Sequence, residues 1–156
     1  MTKFNNLLLN NQLCFALYAA TNSVIRYYRI YLNEIGITYT QYLVLLVLWE
    51  QESTNVNKIA KTLQLDSPTV TPIIQKLEKM NLVKRERSKS DERIVIVSLT
   101  KNGIDLEHQV AAIQDKVACK TQLNTKDFDE LKETLNNLTK TMSEKEQDKE
   151  NLLSQK

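Results

Sequence analysis

The sequence predicts a mainly α-helical chain with one small β-hairpin. Three observations lead there. Apolar residues recur at every third or fourth position over most of the 156 residues. Only two glycines and two prolines occur, too few for the many turns of a sandwich or barrel. Residues 82–99 alone carry two strand-like runs around a polar centre.

The elements follow in order. Leu13, Leu17, Ala20, Val24, Tyr28 and Tyr31 line one face of a long first helix, about residues 6–33. Gly36 breaks it. Thr38 or Thr40 then caps a second helix that runs to Trp49 and Glu50. Residues 43–48 are apolar all round, which places this helix at the buried centre. A polar break at residues 53–57 precedes a short third helix with Val56, Ile59, Ala60 and Leu63 inward. Ser67 is a candidate N-cap for a fourth helix, with Pro68 at its first position, where a missing N–H costs nothing. Val70, Ile73, Ile74 and Leu77 form its inner stripe.

Residues 82–86 and the β-branched run 94–99 read as the two hairpin strands, with a charged tip between them. Thr100 caps a fifth helix bearing Leu106, Val110, Ile113 and Val117, and Asn124 or Thr125 caps a sixth bearing Phe128, Leu131, Leu135, Leu138 and Met142. Residues 144–156 read as a frayed, charged tail. The order describes a winged helix-turn-helix over about residues 38–100. Helices at about 6–33 and 101–143 flank it within a single domain of residues 1–156. Those flanking helices carry apolar stripes that one small lobe cannot cover, so they are expected to dimerise.

Composition narrows the function. Both charge signs are mixed and the net charge is only +2, so a surface for nucleic acid must be local. Residues 76–93 hold seven cations against four carboxylates, a local excess of +3. On a helical wheel the fourth helix turns Pro68, Pro72, Gln75 and Lys79 outward, flanked by Thr69, Thr71 and Lys76. Ser67 stands at its start. Small, hydroxylated, amide and cationic side chains suit base edges, thymine methyls and phosphates in a major groove. Arg87, Lys89 and Arg93 on the wing can approach a minor groove, with Asp91 placed to hold Arg93 extended. A charge run alone usually marks a solvated hairpin; the helix-turn-helix just upstream favours binding of double-stranded DNA.

Other classes find little support. No phosphate-cradling glycine loop, Ser/His/Asp arrangement or metal cluster occurs, so neither an enzyme nor a cofactor or metal is expected. His108, the only histidine, reads as a surface residue. No apolar run is long enough to span a bilayer and no secretory h-region opens the sequence, so a cytoplasmic protein without a membrane partner is expected.

Two stretches carry a resemblance. The run Asp66-Ser67-Pro68-Thr69-Val70-Thr71-Pro72-Ile73-Ile74-Gln75-Lys76-Leu77-Glu78, with Leu82-Val83-Lys84-Arg85 and Arg87-Ser88-Lys89-Ser90-Asp91-Glu92-Arg93, resembles the recognition helix and wing of MarR-family regulators. Pro68 departs from the glycine common there. The resemblance implies a dimeric repressor on a pseudo-palindromic operator. Gln12-Leu13-Cys14-Phe15-Ala16-Leu17-Tyr18, with Tyr27-Tyr28 and Thr38-Tyr39-Thr40, is similar to the OhrR-like, oxidation-sensing branch. That implies Cys14 as a thiol sensitive to hydroperoxides and Tyr28 and Tyr39 as its hydrogen-bond partners. Tyr18 of a second subunit would lie near.

The chemistry suits these residues. A free thiol, with a pKa of about 8.5, is only about 3% thiolate at pH 7, and only the thiolate attacks a peroxide quickly. Phenol donors to sulfur favour the anion. By spacing alone, however, Cys14 reads as an inert residue on an apolar face; the tyrosine-rich surroundings and the resemblance favour the sensor. Two readings also stand for Cys119: a resolving thiol that closes an intersubunit disulfide with Cys14, as in some OhrR-like proteins, or an interface cysteine, with low-molecular-weight thiols capping Cys14 instead. Two rival functions remain. One is a MarR-type repressor released by a small phenolic ligand; the other is a helical adaptor that binds no DNA.

Overall fold

The computed structural model describes residues 3–153. The backbone divides into two units, Met1–Val117 and Ala118–Lys156.

The first unit begins with two 3-10 turns, Asn5–Leu7 and Leu9–Asn11, before helix α1, Leu13–Leu32. The sequence predicts a helix from about residue 6. Amide side chains account for the later start: Asn11 Nδ2 donates to the Asn5 carbonyl at 2.9 Å and Gln12 Nε2 to the Leu8 carbonyl at 3.3 Å. Such local bonds compete with the helical ladder. A 3-10 turn at Asn33–Ile35 ends at Gly36, whose φ of 75° suits glycine.

Thr38 then starts α2, Tyr39–Gln51, with a reciprocal box. Gln41 N–H donates to Thr38 Oγ1 at 3.3 Å, and Thr38 N–H to Gln41 Oε1 at 2.7 Å. Tyr42, Val44, Leu45, Val47 and Leu48 are buried, so α2 is the central helix, as its apolar sequence predicts.

Residues 53–57 are more than a polar break. Ser53–Asn55 form strand β1, and α3, Val56–Leu63, follows at once. Asn55 caps α3 by accepting the Lys58 N–H at 2.8 Å. The next helix, α4, spans Ser67–Lys79. Its N-cap is Asp66, one residue before the predicted Ser67: the Asp66 carboxylate accepts the Thr69 N–H at 2.6 Å. That contact holds Asp66 below its ordinary pKa, with the Thr69 side chain contributing most. Strands β2, Val83–Arg87, and β3, Val95–Leu99, form the hairpin. β1 adds to its far side in the antiparallel order β1-β3-β2, with Thr54 opposite Val97 and Arg85 opposite Val97 from the other side. The predicted hairpin is therefore two strands of a three-stranded sheet.

The predicted fifth helix is divided at Leu106 into α5, Lys101–Asp105, and α6, Glu107–Thr121. Thr100 caps α5 as predicted, accepting the Gly103 N–H at 3.2 Å. Gly103 is forced by space. A β-carbon there would stand 2.1 Å from the Leu82 carbonyl oxygen. Trp49 Nε1 donates to the Gly103 carbonyl at 3.0 Å and ties α2 to the same point. The core runs from Tyr28 and Leu32 through α2, Ile59, Val70, Ile74, Leu77, Val83 and Val97 to Val110, Ile113 and Val117.

In the second unit, α7 spans Thr125–Leu153. Asn124 Oδ1 accepts the Asp127 N–H at 2.9 Å just before it. Phe128, Leu131, Leu135 and Met142 are exposed along one stripe. The tail expected at residues 144–156 falls where side chains lie outside the described residues, although the helical backbone continues to Leu153. No helix among the described residues is long and apolar enough to cross a membrane.

Candidate functional site

Helix α4 presents two distinct sides. Val70, Ile74 and Leu77 are fully buried and Ile73 is half-buried. Pro68, Thr69, Pro72, Gln75, Lys76 and Lys79 make up the outer side, where Thr69, Gln75, Lys76 and Lys79 are exposed. Ser67 and Thr71 already donate inward. Ser67 Oγ bonds to Asn57 Oδ1 at 2.7 Å, joining α4 to α3, and Thr71 Oγ1 bonds to the Ser67 carbonyl at 2.7 Å. Their hydroxyl oxygens retain acceptor capacity for an incoming donor.

On the wing, Arg87, Lys89 and Arg93 project from the hairpin and its tip. Asp91 holds Arg93 in a fork, with Nε to Oδ1 at 3.0 Å and Nη2 to Oδ2 at 3.1 Å, plus the Arg93 N–H on Oδ1 at 3.0 Å. The Arg93 guanidinium, then its backbone N–H, holds the Asp91 carboxyl below the usual carboxylate range. The Arg93 side chain nevertheless remains 91% exposed, because the fork fixes its direction without covering it. Arg87 Nη1 donates to the Glu92 carbonyl at 3.1 Å and steadies the tip. Behind the wing, Arg85 pairs with Glu78, Nη2 to Oε2 at 2.7 Å, and is withdrawn from the outward set.

The thiol region lies on α1. Cys14 is in its first turn and exposed, with exposed Tyr18 one turn on. Tyr28 and Tyr39 stand at the opposite end. Cys14 and Tyr28 are fourteen residues apart on one continuous helix, about 21 Å along its axis at the usual rise. No phenol at that end reaches the sulfur of its own chain. Tyr28, Tyr39 and Tyr42 form a ring cluster with centroids 5.2–5.7 Å apart. Gln114 of α6 completes it, its Oε1 accepting from both Tyr28 Oη and Tyr42 Oη, the latter at 3.1 Å. Burial, followed by Tyr28, pushes the Tyr39 phenol above its usual pKa; burial likewise raises Tyr42 strongly. Tyr39 and Tyr42 therefore keep their protons at any physiological pH. Cys119 is exposed near the end of α6, its carbonyl accepting the Gln122 N–H at 3.2 Å.

Residues 26–110 match the family model described as transcriptional regulator SarA/Rot. The chain belongs to this family. The SarA/Rot family assignment agrees with the winged, MarR-type architecture described above. The organic hydroperoxide resistance transcriptional regulator of Bacillus subtilis (strain 168) is 39% identical over 143 residues, covering 92% of this chain and 97% of its own. AbfR of Staphylococcus epidermidis is similar in three solved states. Reduced AbfR bound to DNA superposes with a TM-score of 0.76 at 36% identity, covering 92% of this chain and 98% of that one. Overoxidised AbfR bound to DNA gives 0.66 at 41% identity, covering 83% and 95%. Disulfide-formed AbfR gives 0.61 at 38%, covering 87% and 90%. A mutant MarR from E. coli, complexed with operator DNA, gives 0.77 at 20% identity, covering 88% and 99%, and shares the fold.

The sequence reading missed Gln114 and the Glu78–Arg85 pair. Opposite charges around the turn at residues 80–82 are a weak signal for the pair. Nothing in the spacing of Gln114, 86 positions from Tyr28, points to its role.

Proposed function

We propose that the chain is a homodimeric DNA-binding repressor whose hold on its operator is controlled by oxidation of Cys14. The observation that carries the DNA reading is the outward side of α4 beside an exposed, pre-oriented Arg93. Pro68, Thr69, Thr71, Pro72, Gln75, Lys76 and Ser67 face base edges and phosphates; Lys79, Arg87, Lys89 and Arg93, braced by Asp91, meet the backbone and minor groove. Reduced AbfR, at 36% identity, was solved on DNA, which supports this reading.

Dimerisation is favoured by the exposed apolar stripes of α1 and α7. It also supplies what one chain lacks: Tyr28, about 21 Å along α1 from its own Cys14, and Tyr39, packed against it, belong beside the Cys14 of the partner if the two helices run antiparallel. The Tyr39 phenol then donates to the sulfur and favours the thiolate, with Tyr18 nearby; Tyr28 donates as well once its O–H leaves Gln114, the acceptor it holds in this chain. The thiolate attacks the distal oxygen of a hydroperoxide; the O–O bond breaks, an alcohol leaves and Cys14 becomes a sulfenic acid. The Cys119 thiol of the partner, or a low-molecular-weight thiol, then displaces the sulfenic oxygen as water and forms a disulfide. AbfR was solved on DNA in an overoxidised state and separately with its disulfide formed. Those two states favour the disulfide, rather than added oxygen on sulfur, as the step that resets the spacing of the DNA-reading helices.

The test uses the full-length dimer and a duplex it selects from a random pool. Cumene hydroperoxide is expected to release the wild type and to leave Cys14→Ser bound. It should also crosslink the wild type, but not Cys119→Ser, into a dimer on non-reducing electrophoresis. Release of Cys14→Ser as well would overturn the sensor; absence of any bound complex would leave an adaptor. A second reading has one observation in its favour. A cavity of about 420 Å³ opens between α2 and α6, lined by Tyr42, Leu46, Trp49, Glu50, Glu107 and Val110, a volume in the range of small-molecule sites. Its two carboxylates disfavour an ionised phenol, so peroxide-independent release by a neutral phenol is the outcome that would support it.

A further inference from the structure

We propose that Glu78 is a positioning residue for DNA binding: through Arg85 its carboxylate fixes the wing on the recognition helix, so that Arg93 and the outward side of α4 meet one duplex together. The inference rests on the reading above that the wing touches DNA.

Glu78 lies in the last turn of α4 and Arg85 in the middle of β2. Two hydrogen bonds and an ion-pair contact join them. Glu78 Oε2 accepts from Arg85 Nε at 2.7 Å and lies 2.7 Å from Nη2, and Glu78 Oε1 accepts the Arg85 main-chain N–H at 3.2 Å. β2 is an edge strand of the sheet, so a main-chain N–H turned away from β3 needs a partner from elsewhere. The carboxylate thus grips both the side chain and the backbone of the hairpin. The root of the hairpin is held by the turn after α4, where Leu82 N–H bonds to the Leu77 carbonyl at 3.0 Å, by buried Val83 and Val97, and by the pairing of β1 with β3. Along β2 itself, the Glu78 carboxylate adds a direct polar tie between the strand and α4.

The placement of an acid here is otherwise unfavourable. Glu78 stands between Lys76 and Lys79, both exposed on the side that faces DNA. A bare carboxylate there would repel phosphates. Glu78 and Arg85 are each about one-third exposed, at 35% and 30%, and cancel one another, leaving Lys76, Lys79, Lys89 and Arg93 to act. An ion pair of this exposure contributes little to stability. Its geometry, a planar guanidinium on one carboxylate oxygen and the main-chain N–H on the other, which lysine cannot reproduce, is what orients the hairpin.

The two roles differ in sign. A carboxylate that is only a nearby negative charge should, on removal, tighten binding to every duplex. A carboxylate that aims the wing should, on removal, weaken binding to a matched duplex alone. The experiment measures fluorescence anisotropy of the full-length protein on a duplex selected by the wild type, and on an unselected duplex of equal length, at two salt concentrations. Wild type, Glu78→Gln, Arg93→Ala and the double variant are compared.

Glu78→Gln is expected to weaken the selected duplex about fivefold or more and leave the unselected one equal or tighter. Arg93→Ala is expected to weaken the wild type about fivefold or more but the Glu78→Gln protein by about twofold or less, since an unaimed arginine has little left to lose. Arg85→Lys, which keeps both charges, should reproduce the same coupling and decides the matter if Glu78→Gln unfolds. Equal costs of Arg93→Ala in both backgrounds would overturn the proposal while leaving the DNA reading intact. No cost of Arg93→Ala in the wild type would remove the wing contact itself, and the proposal with it.

Discussion

Residues 42–48 and residues 13–24 are both rich in aliphatic and aromatic side chains, yet they meet opposite fates in a single chain. In the first stretch, Tyr42, Val44, Leu45, Val47 and Leu48 are buried. In the second no residue is buried, with Leu13 at 64% and Tyr18 at 67% exposure. The winged lobe closes on itself: each helix start from α2 to α5 has its own cap, and the apolar sides meet one another. Among the described residues, the first half of α1 and the stripe of α7 keep much of their apolar sides exposed. Local sequence thus encodes most of the winged lobe, while the flanking helices carry apolar sides that it leaves exposed.

Three perturbations probe that contrast. The largest effect is expected inside the lobe. Gly103→Ala places a methyl where only 2.1 Å separates it from a carbonyl oxygen, and should cost about 2–4 kcal/mol in urea unfolding followed by circular dichroism. An unchanged midpoint would mean that α5 shifts freely, and the lobe is not closed as described. Next comes Leu131→Glu on α7. It should leave the helicity of the lobe intact while weakening self-association about tenfold or more in sedimentation velocity. Unaltered association would assign the stripe to another role. The smallest effect belongs to the wing tip. Asp91 should titrate below the ordinary 3.8 in carboxyl-detected NMR, and return to it in Arg93→Ala. Because the folded pKa is depressed, the pairing contributes above the unfolded pKa and is lost as pH falls through the folded one. The fork therefore persists throughout the neutral range.

Much of this architecture is legible in the sequence, and the exceptions share a cause. Apolar spacing alone separates the inner from the outer side of α4, and Thr38 and Thr100 are readable as caps because a hydroxyl followed by helical periodicity has few other meanings. Strand β1 is illegible because its three residues are polar and its partner, β3, lies far along the chain; pairing, not propensity, makes it a strand. Asp66 displaces Ser67 as the cap of α4 because Ser67 bonds to Asn57, a contact made only once α3 and α4 pack. The division at Leu106 carries no proline or glycine at the break itself. At the site, the tyrosines are visible as a cluster of types and the continuous first helix already sets Tyr28 apart from Cys14, but Gln114 emerges only from the packing of α6 against α1 and α2.

The joint at Gly103 has a mechanical consequence. Trp49 holds its carbonyl, the Leu82 carbonyl fills the space a β-carbon would need, and Thr100 bonds to Asn81 and Leu82 at 2.6 and 3.1 Å. Atoms packed this closely leave α5 little room to tilt without moving the root of the hairpin. The start of α5 and the root of the hairpin are therefore coupled directly, without an intervening element.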